Sequence, residues 1–295
     1  MILLTGASGF VGKIAHPILA GRTAATGICG RNTCKGLFTP VDLARSDALA
    51  TVLDAVRPDT VIHSAACRDP DACERDPANA LRIHAGITAE IAAWCNRTGA
   101  LLVYLSTDYV FDGTRPPYRE DAPPSPLNVY GKTKAAGESA ARGANQHMVV
   151  RIPLQYGYSQ VPDDSMLLKI IARLKSGEPI EVDHWQYRYP TLTDDVAFAL
   201  LDLIDLGFRG TIHLRAPSRL TRLEIWKAVA QALDLDPSLV RPAPEPVAQA
   251  AARPRDAALD TSLYESFRLH PFHAFTPGLE FTSKKMETAG YDWRA

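Results

Sequence analysis

The chain alternates short apolar runs with stretches whose apolar residues recur at helical spacing. The apolar runs predict strands near residues 2–5, 24–29, 60–63, 101–105 and 148–152. The stretches between them predict helices near residues 10–20, 47–56, 79–98 and 129–144. Strands that alternate with helices in this way are typical of a parallel sheet covered on both faces. We therefore predict an α/β fold with a doubly wound parallel sheet. Gly99 directly follows the third predicted helix, in the position where glycine commonly ends a helix.

The alternation weakens after Gly157. The later pattern predicts helices near residues 164–176, 193–206 and 222–234. It predicts strands near residues 180–183 and 210–214. Thr221 and Glu224 have the spacing of a capping box at the start of the last helix. Four prolines within 237–246 predict an irregular connection. We expect residues 158–295 to form a smaller C-terminal α/β lobe over the carboxyl ends of the strands, where such sheets bind ligands.

Composition narrows the classes of function without selecting one. The 295 residues are 46% hydrophobic, enough for one or two domains to bury a core. The formal net charge of −1 gives no sign of a nucleic-acid partner, and no apolar run approaches the roughly 20 residues of a membrane helix. The five cysteines form no CxxC pair, and the histidines lack metal-ligand spacing. Without a basic and apolar leader, we expect a cytoplasmic protein with reduced thiols and no metal ion.

The first predicted strand runs directly into a glycine-rich turn, Gly6-Ala7-Ser8-Gly9-Phe10-Val11-Gly12, and a helix follows. Glycine lets the backbone turn tightly and approach a pyrophosphate that sits on the N-terminus of the helix. The motif alone also fits a flexible turn, but the strand before it and the helix after it supply the required context. We therefore predict a Rossmann dinucleotide-binding domain over residues 1–157, with the cofactor held by Gly6, Ser8, Gly9, Phe10, Val11 and Gly12. Pro17 should shorten or kink the first helix.

The end of the second predicted strand bears on which dinucleotide binds. NAD sites usually carry an acid about 20 residues past the glycines, where it bonds the ribose 2′-hydroxyl. This chain has Ile28-Cys29-Gly30-Arg31-Asn32 there, without an acid. The planar guanidinium of Arg31 is suited to pair with a 2′-phosphate, although an ordinary surface arginine would give the same sequence. We predict NADP(H) as the cofactor in preference to NAD(H).

Tyr130 and Lys134 stand four residues apart on a predicted helix, so they share one face. A lysine close to a tyrosine favours the phenolate, and lowering the tyrosine pKa from about 10 to near 7 would take about 4 kcal/mol. Such a pair can donate and accept a proton at neutral pH. The same spacing is also common on solvated helices, so its meaning depends on the motifs around it.

The glycine turn, Thr107, Tyr130 and Lys134 together resemble the extended short-chain dehydrogenase/reductases. The likeness to the dTDP-4-dehydrorhamnose reductases among them is carried by residues 106–113, 126–134, 137–138, 189–191, 194–197 and 253–255. A second likeness, to the regulatory beta subunit of methionine adenosyltransferase in the same family, is carried by residues 151–154, 183–186 and 253–255. The resemblance covers nearly the whole chain. It implies that the chain crosses between lobes, with residues 191–215 returning to the first domain.

The resemblance also implies a reductase mechanism. The cofactor delivers a hydride to the carbon of a sugar ketone, and Tyr130 protonates the developing alkoxide. Lys134 depresses the pKa of the tyrosine and hydrogen-bonds the nicotinamide ribose, while the hydroxyl of Thr107 holds the carbonyl oxygen. Further cofactor contacts, beside the adenine and behind the cofactor, are implied for Asp42, Leu43, Ala65 and Ala66.

The substrate side is expected to include Asp108, Tyr109, Asn128, Trp185, Arg188 and Arg253. Trp185 and Arg188 belong to a polar and aromatic cluster at residues 184–188 that is suited to face the sugar. Arg253 and Arg255 flank a proline and are suited to bind a nucleotide diphosphate, although a solvated basic turn would have the same sequence. The substrate side is therefore less firmly tied to particular residues than the cofactor side.

One departure from the family concerns the substrate. The rhamnose-forming reductases typically have Thr-Ser-Trp after the arginine that corresponds to Arg151, whereas this chain has Ile152-Pro153-Leu154. The tryptophan that packs on the sugar is therefore absent. Two hypotheses follow. One is an NADPH-dependent reductase of a nucleotide-linked 4-keto-6-deoxy sugar. The other is an NADP-binding regulatory subunit that docks on a methionine adenosyltransferase with little or no turnover. A homodimer is the default oligomeric state.

Overall fold

One seven-stranded sheet organises the computed structural model, which describes residues 1–30, 38–43, 45–158, 165–245 and 249–291. Its strands are β1 (Ile2–Thr5), β2 (Ala25–Cys29), β3 (Thr39–Pro40), β4 (Thr60–His63), β5 (Leu101–Thr107), β6 (His147–Ile152) and β11 (Gly210–His213). Four short strands between β6 and β11 in the chain belong to the second lobe. The strands lie in the order β11-β6-β5-β4-β1-β2-β3, and every neighbouring pair is parallel. The predicted α/β sheet is confirmed.

Helices cover both faces of this sheet. The first part of the chain forms α1 (Phe10–Arg22), α2 (Ser46–Val56), α3 (Pro70–Arg75), α4 (Pro77–Leu81), a π-helical turn (Arg82–Gly86), α5 (Ile87–Thr98) and α6 (Val129–Ala141). The later helices are α7 (Met166–Lys175), α8 (Thr193–Asp205), α9 (Arg222–Ala232), α10 (Ser262–Ser266) and α11 (Phe275–Thr288). One apolar core, which includes Leu4, Val150 and Leu200, lies under α1 and α8. The other, which includes Leu3 and Ile91, lies under α2 and α5.

Most predicted elements of the first half begin and end within three residues of the observed ones. Gly99, with a left-handed φ of +79°, ends α5 as predicted, and the capping box of Thr221 and Glu224 is present at the start of α9. The predicted shortening of the first helix is wrong, because α1 continues past Pro17 to Arg22. Pro17 lies on the exposed side of the helix, where water can satisfy the carbonyl that a proline leaves without a partner.

The second lobe is assembled from short elements around its own apolar core. That core is formed chiefly by α7, α9 and α11, and it buries Leu168, Val229 and Phe275. Its short strands are β7 (Gln155–Tyr156), β8 (Ile180–Val182), β9 (Tyr187–Arg188), β10 (Thr191–Leu192), β12 (Leu220–Thr221) and β13 (Val240–Pro242). They pair as β7 with β10, β8 with β13 and β9 with β12. The proline-rich stretch 237–246 is therefore not wholly irregular as predicted, because prolines are tolerated at the ends and edges of strands.

The chain crosses between the two lobes more than once. Helix α8 packs on α1, and β11 extends the main sheet beside β6. Tyr264 of α10 is buried in the core of the first lobe, and Phe267 and Phe272 pack against that core. Residues 158–295 therefore contribute to both lobes, and the second lobe sits where the carboxyl ends of β1, β4 and β5 open.

The cysteines only partly match the expectation of reduced thiols. Cys67, Cys73 and Cys95 are free, whereas Cys29 is disulfide-bonded, which contradicts that expectation for Cys29. A disulfide depends on how closely the fold brings two sulfur atoms together, and the spacing of cysteines along a sequence does not show this. In the described ranges, no helix is both long and apolar enough to cross a membrane. No cluster of three or more metal-ligating side chains occurs in the same ranges.

Candidate active site

The glycine turn after β1 forms one end of a cavity of about 1100 Å³. Gly6 has a left-handed φ of +67°, and a Cβ atom there would lie 2.7 Å from the backbone nitrogen of Ala65. A Cβ atom on Gly12 would lie 2.3 Å from the carbonyl oxygen of Gly6, so neither position accepts a side chain. Gly9 is the N-cap of α1 and supplies no side-chain cap. The first amides of the helix therefore remain available to an anion.

The other residues predicted to bind the cofactor border the same cavity. They are Ser8, Gly9, Phe10, Val11, Asp42, Leu43, Ala65 and Ala66. Gly30, which directly follows β2, also lines the cavity. The prediction of NADP is based on Arg31, which lies outside the described residues. Its contact with a 2′-phosphate therefore stays a prediction.

Two neighbouring elements bring the predicted catalytic residues to the middle of the cavity. Thr107 ends β5, and Tyr130 and Lys134 lie one turn apart on α6. Asn128 caps that helix, because its Oδ1 accepts a hydrogen bond from the amide of Gly131 at 2.7 Å. The hydroxyl of Tyr130 lies close enough to the hydroxyl of Thr107 for the threonine to influence its pKa. The three side chains selected from the sequence therefore share one site with the glycine turn.

Lys134 is almost fully buried, with 3% of its surface exposed. Its Nζ donates a hydrogen bond to the carbonyl oxygen of Leu105 at 2.5 Å and lies 4.2 Å from the centre of the Tyr104 ring. Burial lowers the pKa of Lys134 to about 7, although the nearby carboxylate of Glu138 favours the charged amine. The amine therefore titrates near neutral pH, where a modest change in nearby charge decides its protonation.

The pKa of Tyr130 is shifted in the direction opposite to the prediction. Burial raises the pKa of its hydroxyl above the ordinary value, and the carboxylate of Asp108 adds to the rise. The nearby hydroxyl of Thr107 opposes this shift without cancelling it. The predicted lowering by Lys134 is wrong, because the ammonium group is directed to a backbone carbonyl and the loss of hydration dominates. Tyr130 therefore keeps its proton at neutral pH, as a general acid must.

Asp108 directly follows Thr107 and is buried beside it. Its Oδ1 accepts a hydrogen bond from the hydroxyl of Thr107 at 3.1 Å. Burial raises the pKa of Asp108 to about 6, although Arg188 and Thr107 favour its charged form. The oxygen of Thr107 accepts a hydrogen bond from the amide of Tyr109 at 3.2 Å and faces Tyr130. The hydroxyl proton of Thr107 is therefore directed to Asp108 and away from the cavity-facing phenol. Donation from Thr107 to a substrate carbonyl, as the resemblance implies, would require its hydroxyl to turn.

The extended segment around β9 presents alternate side chains to opposite sides, and this separates the predicted substrate residues. Gln186 and Arg188 line the cavity. Trp185 is half exposed, does not line the cavity, and has the guanidinium of Arg255 3.9 Å from its ring centre. Successive side chains of an extended chain point in opposite directions. The structure therefore does not place Trp185 on the substrate side as predicted, and it makes Arg255 the partner of Trp185.

Arg253 borders the cavity but is already held by an acid. Its guanidinium forms a two-pronged ion pair with Asp71, at 3.0 and 3.2 Å, so only part of it is available to a phosphate. Asn128, also predicted on the substrate side, does not line the cavity. In addition to capping α6, its Nδ2 donates to the carbonyl oxygen of Ala252 at 2.7 Å. Asn128 therefore joins the catalytic helix to the segment that carries Arg253.

Several residues of the cavity were not identified from the sequence. The second lobe contributes Met166, Lys169, Ile170, Arg222, Ile225 and Trp226, and the first lobe contributes Arg68, Asn79, Arg82 and Ile83. Arg222 and Trp226 are four residues apart at the start of α9, so the sequence alone could have placed them on the same face of the predicted helix. Burial lowers the pKa of Arg222, and the nearby cations Arg188 and Arg253 lower it further. Three arginines therefore converge on the end of the cavity bordered by the second lobe.

Sequence and structure comparisons relate nearly the whole chain to proteins already described. A family model described as RmlD substrate binding domain matches residues 1–287. Methionine adenosyltransferase 2 subunit beta of Pongo abelii is 34% identical over 286 residues, covering 95% of this chain and 86% of that protein. A dTDP-4-keto-6-deoxy-D-glucose reductase of Streptomyces niveus is 32% identical over 283 residues, covering 94% of each. The crystal structure of dTDP-4-dehydrorhamnose reductase from Bacillus anthracis in complex with NADP has a TM-score of 0.87 at 27% identity, covering 96% of this chain and 98% of that chain.

Proposed function

We propose, from the premise that this chain belongs to the RmlD substrate-binding domain family, that it is an NADPH-dependent reductase of a nucleotide-linked 4-keto-6-deoxy sugar. Membership confirms the family resemblance of the sequence. The observation that supports the activity most directly is that Thr107, Tyr130 and Lys134 line the same cavity as the glycine turn. A relative with 32% identity is named as a reductase of this kind, and a structural neighbour is in complex with NADP.

The residues around the glycine turn fit a dinucleotide. Gly6 and Gly12 have no space for a Cβ atom, and the uncapped N-terminus of α1 borders the cavity. We assign the amides of this turn to the pyrophosphate. Ala65 and Ala66 form a wall without bulky side chains, and we assign them to the nicotinamide half. When bound, NADPH supplies the hydride for the reduction.

The part of the protein in this reaction is to hold the ketone and to supply a proton. The raised pKa of Tyr130 keeps its hydroxyl protonated at neutral pH, so it can give that proton to the oxygen of the developing alkoxide. The hydroxyl of Thr107 lies beside the phenol and favours the phenolate that remains after the transfer once its proton turns from Asp108 to the phenol oxygen. Lys134, one turn further along α6, supplies positive charge to the same buried region when it is protonated.

The second lobe supplies the positive charge expected for a nucleotide diphosphate. Arg188 and Arg222 line the cavity there together with Trp226. In the part of the chain that the structure describes, Arg222 forms no hydrogen bond or salt bridge, so its guanidinium is available to a ligand. Guanidinium groups bind paired phosphate oxygens well, and the indole of Trp226 offers a flat surface to a base. We therefore assign this end of the cavity to the nucleotide of the substrate.

Turnover of a keto-sugar nucleotide tests the proposal. The purified protein should consume NADPH in proportion to an added dTDP-4-keto-6-deoxy sugar. Tyr130→Phe removes the proton donor and keeps the ring, so we expect kcat to fall by a factor of about 10² to 10⁴ while NADPH binding persists. Tyr187→Phe, which removes a hydroxyl outside the cavity, should leave kcat unchanged. Absence of NADPH consumption with a panel of nucleotide-linked 4-keto-6-deoxy sugars would contradict the proposal.

A regulatory role is the second candidate function, and one observation favours it. The relative named methionine adenosyltransferase 2 subunit beta is 34% identical, slightly more than the reductase at 32%. Under this candidate, the protein should form a stable complex with the catalytic subunit of a methionine adenosyltransferase and turn over little or no keto sugar. Size-exclusion chromatography with light scattering measures the complex, and Tyr130→Phe should leave it intact. Failure to form a complex at micromolar concentrations would remove this candidate.

A further inference from the structure

His84 lies at the centre of the π-helical turn that joins α4 to α5. The amide of Ile87 bonds to the carbonyl of Arg82, five residues back, which defines this turn. Such turns are rare and are frequent at functional sites. Arg82 and Ile83 line the cavity, whereas the side chain of His84 is fully buried. The turn therefore supplies residues to the cavity and a histidine to the protein interior behind it.

The imidazole of His84 forms one hydrogen bond at each nitrogen. The amide of Cys67 donates to Nε2 at 3.1 Å, so Nε2 carries no proton. Burial lowers the pKa of His84 to about 3, and the ammonium group of Lys134 lowers it further, so the ring is neutral. The single ring proton is therefore on Nδ1, which donates to Oγ1 of Thr133 at 2.9 Å. Thr133 in turn donates to the carbonyl oxygen of Val129 at 2.8 Å.

These contacts tie the catalytic helix to the loop behind the cofactor region. Cys67 directly follows Ala65 and Ala66, which border the cavity. Thr133 lies on α6 between the two catalytic residues of that helix. The His84 ring also packs edge-on against the Tyr130 ring, with 5.7 Å between the ring centres and 79° between the ring planes. One buried side chain therefore contacts the loop, the helix and the proton donor.

We propose that His84 is a positioning residue for the reduction. It sets the orientation of Tyr130 and the placement of α6 relative to the loop at 64–67. This inference rests on the proposed reductase function. His84 does not border the cavity, so it does not touch substrate or cofactor and acts through Thr133 and Tyr130. The hydrogen bond to Thr133 is the contact that matters most, because Thr133 belongs to the same helical turn as the catalytic pair.

Two conservative variants separate the two hydrogen bonds of His84. In His84→Asn, the side-chain amide takes the place of Nδ1 and can still donate to Thr133. In His84→Gln, the amide reaches the place of Nε2 and keeps only the contact with Cys67. His84→Ala removes both contacts. If the ring merely filled space, the three variants would rank by side-chain volume, with His84→Gln the least affected.

We expect His84→Asn to retain most of the wild-type kcat, and His84→Gln and His84→Ala to lose kcat on the order of 10- to 100-fold. The dissociation constant of NADPH should change much less than kcat, because no cavity-lining side chain is altered. Thr133→Val should resemble His84→Gln, and the double variant His84→Ala with Thr133→Val should be no worse than the worse single variant. Equal losses in His84→Asn and His84→Ala, or wild-type kcat in His84→Gln, would overturn the proposal.

Hydrogen exchange of α6 tests the same proposal without turnover. Amides within residues 129–134 should exchange faster in His84→Gln and His84→Ala than in the wild type, while His84→Asn should match the wild type. Amides of α9, in the other lobe, should be unchanged in all three variants and serve as the control. If the wild-type protein reduces no keto sugar, the proposed function fails while this measurement still decides the role of His84. Unchanged exchange of α6 in His84→Ala would contradict the positioning role.

Discussion

At the scale of single residues, the site is governed by the cost of burying charge. Burial brings the pKa of Lys134 down to about 7 and that of Asp108 up to about 6, and it raises the pKa of Tyr130. Each shift favours the neutral form, because little water remains to stabilise an ion. Near neutral pH the lysine and the aspartate are therefore both close to their titration points, and the tyrosine holds its proton. The sequence identified these residues but not the direction in which burial shifts the tyrosine.

Asp108 should reduce the stability of the folded protein at neutral pH. Its folded pKa of about 6 lies above the ordinary value of 3.8, so the folded state binds the proton more tightly than the unfolded state. That contribution to stability is fully present below pH 3.8 and is lost as the pH rises through about 6. We expect Asp108→Asn, which cannot ionise and still accepts from Thr107, to raise the free energy of unfolding at pH 8 by about 1–3 kcal/mol.

Urea unfolding over a pH series measures this effect. The advantage of Asp108→Asn should shrink as the pH falls from 8 towards 4, because the wild-type carboxyl then becomes protonated in the folded protein. Asp121→Asn is a suitable control, since its side chain is 84% exposed and lies 3.7 Å from Arg119. A variant Asp108→Asn that is less stable than the wild type at pH 8 would show that the charged carboxylate stabilises the fold.

At the scale of elements, the sequence predicts what periodic patterns and turn residues encode. The glycine turn at 6–12, the strands before and after it, and the cap at Gly99 were readable because each has a local physical requirement. The π-helical turn at 82–86 was not readable, since one extra residue in a turn hardly disturbs the helical spacing over 79–98. Two-residue strands such as β9 are too short to show an alternation, so the opposite facing of Trp185 and Arg188 became visible only in the structure.

Some predicted roles at this scale change from contact to support. The resemblance implies that Asn128 lies beside the substrate, but in the structure Asn128 caps α6 and donates a hydrogen bond to the carbonyl oxygen of Ala252. A helix that begins at a fixed cap also begins at a fixed rotation, so Tyr130 enters the cavity at a defined angle. His84 supports the same helix from its other side through Thr133. The resemblance named the right segment in the case of Asn128, and only the contacts show that its action is indirect.

At the scale of the whole molecule, the two lobes divide the requirements of the proposed reaction. The first lobe supplies the glycine turn and the proton donor, and the second lobe supplies the arginine and tryptophan of α9. The cavity runs from one lobe to the other and is also lined by Thr107 and Tyr130, where the proposed reaction would bring the two ligands together. This division follows from the topology, since the carboxyl ends of parallel strands open where the second lobe packs. We therefore expect a substitution in the second lobe to affect binding of the nucleotide sugar and to leave binding of NADPH unchanged.

Arg222 offers a test of this division. Arg222→Met keeps much of the side-chain length and removes the charge, so it should weaken binding of the nucleotide diphosphate by the value of a charge-assisted hydrogen bond, about 1.5–3 kcal/mol. We expect KM for the nucleotide sugar to rise roughly 10- to 100-fold, with the dissociation constant of NADPH unchanged. Arg241→Met, which removes an exposed charge on β13, should alter neither value. An equal loss of NADPH binding in Arg222→Met would mean that the two ligands are not separated by lobe, and an unchanged KM would remove the nucleotide from this end of the cavity.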